Sequence, residues 1–175
     1  MATVDKIILI GMPGSGKSTA GLLLARSICC DFIDTDLIIQ KKAGLTLQRI
    51  IDQRGMTEFL NLEEDVLLNL PTDNIPMVIA TGGSAVLSEY AMRYLKSLGI
   101  LVWLDVPLDI LKRRLKNIKS RGIAMAAGQT IDELMSFRLP LYARYADIRV
   151  NTAGNTLEET VEQLMYELEI HKCEY

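Results

Sequence analysis

The stretch "GMPGSGKST" at residues 11–19 carries the densest chemistry in the chain. It matches G-x-x-x-x-G-K-[ST], in which glycines let the backbone wrap a phosphate and turn several N–H groups inward. A helix beginning behind the loop adds the positive end of its dipole. Lys17 is then placed to reach β- and γ-phosphates, and Ser18 to ligate Mg²⁺. Gly14, Ser15, Gly16 and Thr19 complete the expected nucleotide contacts. A chance glycine-rich turn is the bland alternative, and the context speaks against it: a strand-like run, Lys6 to Ile10, apolar after its first residue, precedes the loop.

"FIDTD" at 32–36 places two acids, Asp34 and Asp36, at the end of a second short apolar segment. Beside a triphosphate, one acid serves to hold Mg²⁺ through its waters. The other orients an acceptor hydroxyl or takes its proton. A helix N-cap is the competing reading, above all for Asp36. In sheets of this kind the second strand is expected next to the first.

These groups need a frame. Residues 6–10, 32–34, 77–81, 100–106 and 147–151 read as short strands, the first apolar and rich in Ile after Lys6. Helical spacing fills the intervals. One helix starts near Lys17, a second runs from Leu37 to Lys42 and stops at Gly44, and "TLQRIIDQ" and "EFLNLEEDVLLNL" form two more before Pro71. Ser88 is the expected cap of "SEYAMRYLKSL". Pro107 opens "LDILKRRLKNIK". "IDELMSFRLPLYARY" is expected to kink near Pro140, and the last helix to be capped by Asn155 or Thr156. Residues 119–130 have no clear period and read as a mobile loop. Strands alternating with helices predict an α/β fold: a five-stranded parallel sheet with helices on both faces. Ligands in such folds sit beyond the carboxyl ends of the strands.

The 175 residues fit a single domain, 1–175, with 49% hydrophobic and 23% charged residues. The net charge of −3, with no basic block, argues against nucleic acid as a partner. The three cysteines, Cys29, Cys30 and Cys173, suggest no disulfide framework. No run approaches a membrane span, and no signal peptide is legible, so the cytoplasm is the expected compartment and a monomer the expected state.

"GMPGSGKST", "FIDTD", "TGGSAV" (81–86), "SRGIAM" (120–125) and "RLPLYARYAD" (138–147) follow one another as they do in shikimate kinases. The resemblance covers essentially the whole chain. It implies a P-loop kinase architecture that moves the γ-phosphoryl of ATP, with Mg²⁺, to the 3-hydroxyl of shikimate. It implies a mobile lid at about 119–130 and an acceptor-binding region at about 36–63. Lys17, Asp36 and Arg121 then resemble catalytic residues, Arg121 as the lid arginine that closes over the phosphates. Ser18 and Asp34 resemble the metal residues, and Arg114 an arginine near the adenine. Gly82 and Gly83 match glycines whose backbone amides face the substrate, and Arg138 an arginine that grips its carboxylate. Each has a structural alternative: a tight turn for the glycines, a solvated helix face for Arg114, a cap or ion pair for Arg138.

The chain also departs from the family pattern. Gly55, Phe59 and Glu63 align, but Leu60 stands where a second carboxylate-binding arginine is usual, and Glu63 matches its usual partner. Ser84 replaces the third glycine of a Gly-Gly-Gly run. Losing one side of a desolvated charged pair costs about 2–5 kcal/mol. Arg54 is the nearest arginine in sequence. The alternatives are therefore a kinase for another small hydroxylated metabolite, or a nucleotide-binding module with little phosphotransfer.

Overall fold

A computed structural model describes residues 6–73, 75–115, 122–126 and 128–173. The chain runs β1 (Lys6–Ile10), α1 (Lys17–Ser27), β2 (Asp31–Asp34), α2 (Thr35–Ala43), α3 (Leu47–Leu68), β3 (Met77–Ala80) and a 3₁₀ turn at Ala85–Leu87. It continues α4 (Glu89–Leu98), β4 (Ile100–Asp105), α5 (Leu108–Leu115), α6 (Ile131–Tyr145), β5 (Ile148–Asn151) and α7 (Leu157–Cys173). All strand pairs are parallel, in the order β2-β3-β1-β4-β5. The expected neighbour of β1 was β2; instead β3 lies between them. Leu9 and Asp34 both pair with Ala80, so β1, β2 and β3 end level with one another. The loops after these three strands therefore meet at one edge of the sheet.

β1 is apolar from Ile7 to Ile10 because both of its faces are covered. Ile8 and Ile10 join a core with Leu67 of α3, Met92 and Leu95 of α4, and Tyr142 of α6. Ile7 and Leu9 join a second core on the other face, with Leu24 of α1 and Leu164 of α7. A third, smaller core of Ile39, Leu47, Ile50, Phe59 and Ala124 ties α2 and α3 to residues 122–126.

The two helical segments expected between Thr46 and Leu70 join as α3, broken only at Gly55, whose φ of 85° and ψ of 166° are not helical. A Cβ there would meet nothing, so the backbone angle alone demands glycine. α2 starts two residues earlier than expected, at Thr35. Ser88 caps α4 as expected, and Thr156 caps α7. α6 continues through Pro140 as one helix. No helix among the described residues is long and apolar enough to cross a membrane.

β4 follows α4 with a single intervening residue, Gly99. A Cβ on Gly99 would stand 2.0 Å from the Lys6 carbonyl oxygen, which belongs to the central strand and cannot yield. Gly99→Ala is expected to destabilise the protein by about 2 kcal/mol or more. Urea unfolding should show a lower midpoint at an unchanged slope.

Candidate functional site

The loop after β1 folds as the glycine spacing demands. Gly16 caps α1 at φ 95°, a left-handed conformation that leaves the first helical N–H groups open. Lys17 is buried, and its Nζ donates to Gly11 O (2.8 Å), Met12 O (2.9 Å) and Ser15 Oγ (3.2 Å). Burial pulls its ammonium down to about 8, while Asp36, Asp34 and Glu63 raise it and Arg138 lowers it. Ser18 and Thr19 are exposed and line a cavity of about 130 Å³ in front of the loop. Asp36, Gly82, Gly83 and Arg138 line the same cavity.

The two acids divide differently from one of the expected readings. Asp34, not Asp36, caps α2: its Oδ1 accepts from Asp36 N–H at 3.0 Å. That capping turn directs the half-buried Asp36 toward the cavity. Burial pushes the Asp36 carboxyl up to about 6, with Asp34 adding and Lys17 opposing. An acid so poised holds its charge near neutrality and accepts a proton readily.

Gly82 and Gly83 are close-packing glycines. A Cβ on Gly82 would lie 2.1 Å from Glu63 Oε1 and 2.9 Å from Asp36 Oδ1; one on Gly83 would lie 2.6 Å from Pro13 Cδ. The Gly82 N–H donates to Thr35 Oγ1 at 3.2 Å, so in this structure that amide serves the protein itself. The Gly83 carbonyl accepts from Arg138 Nη1 (3.0 Å) and from Tyr142 OH (2.7 Å). Ser84 sits at φ −94°, where a side chain fits without strain.

Arg138 is 1% exposed. Its Nη2 donates to Ala124 O at 2.5 Å, and its Nε has no partner. Among the described residues it makes no ion pair, so neither a cap nor a salt bridge accounts for it. A buried guanidinium bonded only to carbonyls carries an uncompensated charge, which an anion in the cavity would relieve.

Arg114 lies on the phosphate loop, its Nη1 3.2 Å from Gly14 O and 3.4 Å from Ser15 O. Arg114 is itself exposed, like its neighbour Arg113, which pairs with Asp109. Behind the loop, Arg114 borders a second cavity of about 260 Å³ with Thr152, Asn155 and Thr156. Sequence reasoning gave these three no ligand role, because nothing local distinguishes them from turn residues. It also missed Thr35 and Tyr142. For Tyr142 a signal existed: it stands four residues after Arg138, on the same helix face. Arg121 and residues 116–120 lie outside the described residues. Arg54 is exposed and donates to Ala43 O at 3.4 Å, so the structure does not bring it to the cavity.

The sequence family of shikimate kinases matches residues 13–169. The chain belongs to the shikimate kinase family. A shikimate kinase of Thermodesulfovibrio yellowstonii is 35% identical over 168 residues, covering 95% of this chain and 96% of its own. One of Microcystis aeruginosa is 39% identical over 162 residues, covering 91% and 84%. The shikimate kinase of Acinetobacter baumannii, solved in complex with shikimate, matches with a TM-score of 0.89 at 30% identity, over 97% of this chain and 96% of that one. Membership makes the protein a small-molecule kinase, and ATP is the family's phosphoryl donor. Catalysis in such a site consists of positioning and charge stabilisation. Lys17→Ala should therefore lower kcat/KM by about 100-fold or more. Its thermal midpoint should stay within a few degrees of wild type; retention of wild-type turnover would remove the phosphate-loop assignment.

Proposed function

We propose that the protein transfers the γ-phosphoryl group of ATP to the 3-hydroxyl of shikimate. The observation that carries this reading is Arg138, a buried and unpaired guanidinium on the cavity that also holds Asp36 and the phosphate loop. It fits a small hydroxylated carboxylate. Lys17 and the N–H groups of Gly14, Ser15 and Gly16 hold the phosphates, with Ser18 and Thr19 at the first turn of α1. Arg114 and the cavity behind it take the base. Asp36 accepts the proton of the acceptor hydroxyl as that oxygen bonds to the γ-phosphorus. The bond to the β,γ-bridging oxygen breaks, and ADP leaves with the electron pair. Arg121, in a lid at about 119–130, closes over the phosphates and excludes water, and residues 36–63 form the acceptor side.

The donor set suits Mg²⁺. Ser18 offers a hydroxyl and Asp34 a carboxylate with one oxygen engaged by Asp36 N–H. Mg²⁺ keeps several waters and asks for one or two protein oxygens beside substrate phosphates. No cluster of three or more His, Cys, Asp or Glu suited to a metal occurs among the described residues. When bound, Mg²⁺ would neutralise charge on the phosphate oxygens.

A second reading, a kinase for another hydroxylated acid or polyol, is favoured by one feature. Leu60 is half-buried and borders both a cavity of about 110 Å³ shared with Glu63 and Ser84 and a groove shared with Arg138. It brings no charge to either. ADP release with shikimate, against a panel of hydroxylated acids and polyols, separates the two readings.

Two variants test the assignment. Asp36→Asn should lower kcat by about 10²–10⁴-fold while ATP binding is retained. Leu60→Arg places a guanidinium beside Glu63 and should lower KM for shikimate by about tenfold, with a smaller change in kcat, because it adds uniform binding. An unchanged KM would show that position 60 does not face the acceptor.

A further inference from the structure

Glu63 has no part in the roles assigned so far, yet it is 2% exposed beside the acceptor cavity. Its Oε1 has no hydrogen-bond partner among the described residues. That atom and Asp36 Oδ1 crowd the same point above Gly82, so two carboxylates converge on one wall of the cavity. The charged groups that face Glu63 are Asp36 from α2, Lys17 from α1 and Arg138 from α6; the loop after β3 contributes only the Ser84 hydroxyl. None of them is an ion-pair partner. Lys17 bonds to its own loop, and Arg138 to two carbonyls. On its own helix, Leu60 is apolar and Glu64 bonds to Ser88. Burial pushes the Glu63 carboxyl up to about 7; Asp36 adds to this, and Ser84, Arg138 and Lys17 oppose it.

We propose that Glu63 serves the acceptor site as a neutral carboxylic acid, and that its ionisation weakens the hold of Arg138 on an acceptor carboxylate. With Glu63 neutral, the side chains of Lys17, Arg138, Asp36 and Glu63 sum to a net positive charge that attracts an anion. With Glu63 ionised they sum to zero, and the attraction for the anion falls. The second half of the proposal rests on the acceptor being a carboxylate; the first does not.

The test compares wild type with Glu63→Gln, which copies the neutral acid. Unfolded Glu63 would lose its proton near its ordinary value of 4.5, and the native group near 7. Between those values the native state binds the extra proton, so wild type loses stability as pH rises and Glu63→Gln does not. Without any ligand, the melting temperature of Glu63→Gln should gain on that of wild type from pH 5 to 8. A gap that stays constant overturns the proposal, whatever the acceptor is. In turnover, wild-type KM for shikimate should rise by about tenfold between pH 6.5 and 8.5, against less than about threefold for Glu63→Gln, while kcat follows the same profile in both. Equal KM profiles overturn the coupling to the acceptor. A stability gap that opens while neither protein uses shikimate supports the neutral acid and rejects shikimate.

Discussion

Four ionisable side chains, Lys17, Asp36, Glu63 and Arg138, are wholly or partly withdrawn from water at the carboxyl edge of one parallel sheet, and most of the structure serves to make that withdrawal tolerable. A buried charge is costly unless it is paired or richly hydrogen-bonded. Lys17 meets the condition through three acceptors of its own loop. Arg138 meets it only in part, through two carbonyls. The partner that Arg138 lacks is one an anion in the cavity would supply.

Close approach is the second condition, and it explains the small residues. Gly82 lets Asp36 and Glu63 draw near the backbone, and Gly83 lets Pro13 of the phosphate loop pack on the loop after β3. The Gly83 carbonyl then anchors both Arg138 and Tyr142, and Tyr142 stacks on Trp103 of β4 with ring centroids 5.9 Å apart. The phosphate side and the acceptor side are thereby joined through the core rather than across solvent. A displacement of α6 would move Arg138 and the Gly83 carbonyl together.

The departures from the family pattern form a group. Leu60 and Ser84 line one small cavity with Glu63, the first apolar and the second a neutral hydroxyl. Ser84 adopts a right-handed conformation, so its side chain needs no backbone strain.

The sequence by itself determined whatever is encoded within a few residues. The phosphate loop, the alternation of strands and helices and the Ser88 cap were all legible, because dihedral preference and hydrophobic period act locally. So were Lys17, Asp36, Gly82, Gly83 and Arg138 as companions, through the ordered motifs. Only the tertiary structure decided that β3 separates β1 from β2, that Asp34 rather than Asp36 caps α2, and that Thr35 takes the Gly82 amide. It alone placed Arg54 outside the cavity and Arg138 in it without an ion pair. Sequence spacing says which side chains share an element. Which of them lose water, and which partners they then meet, depends on surfaces brought together from distant parts of the chain, and desolvation exists only once those surfaces have closed.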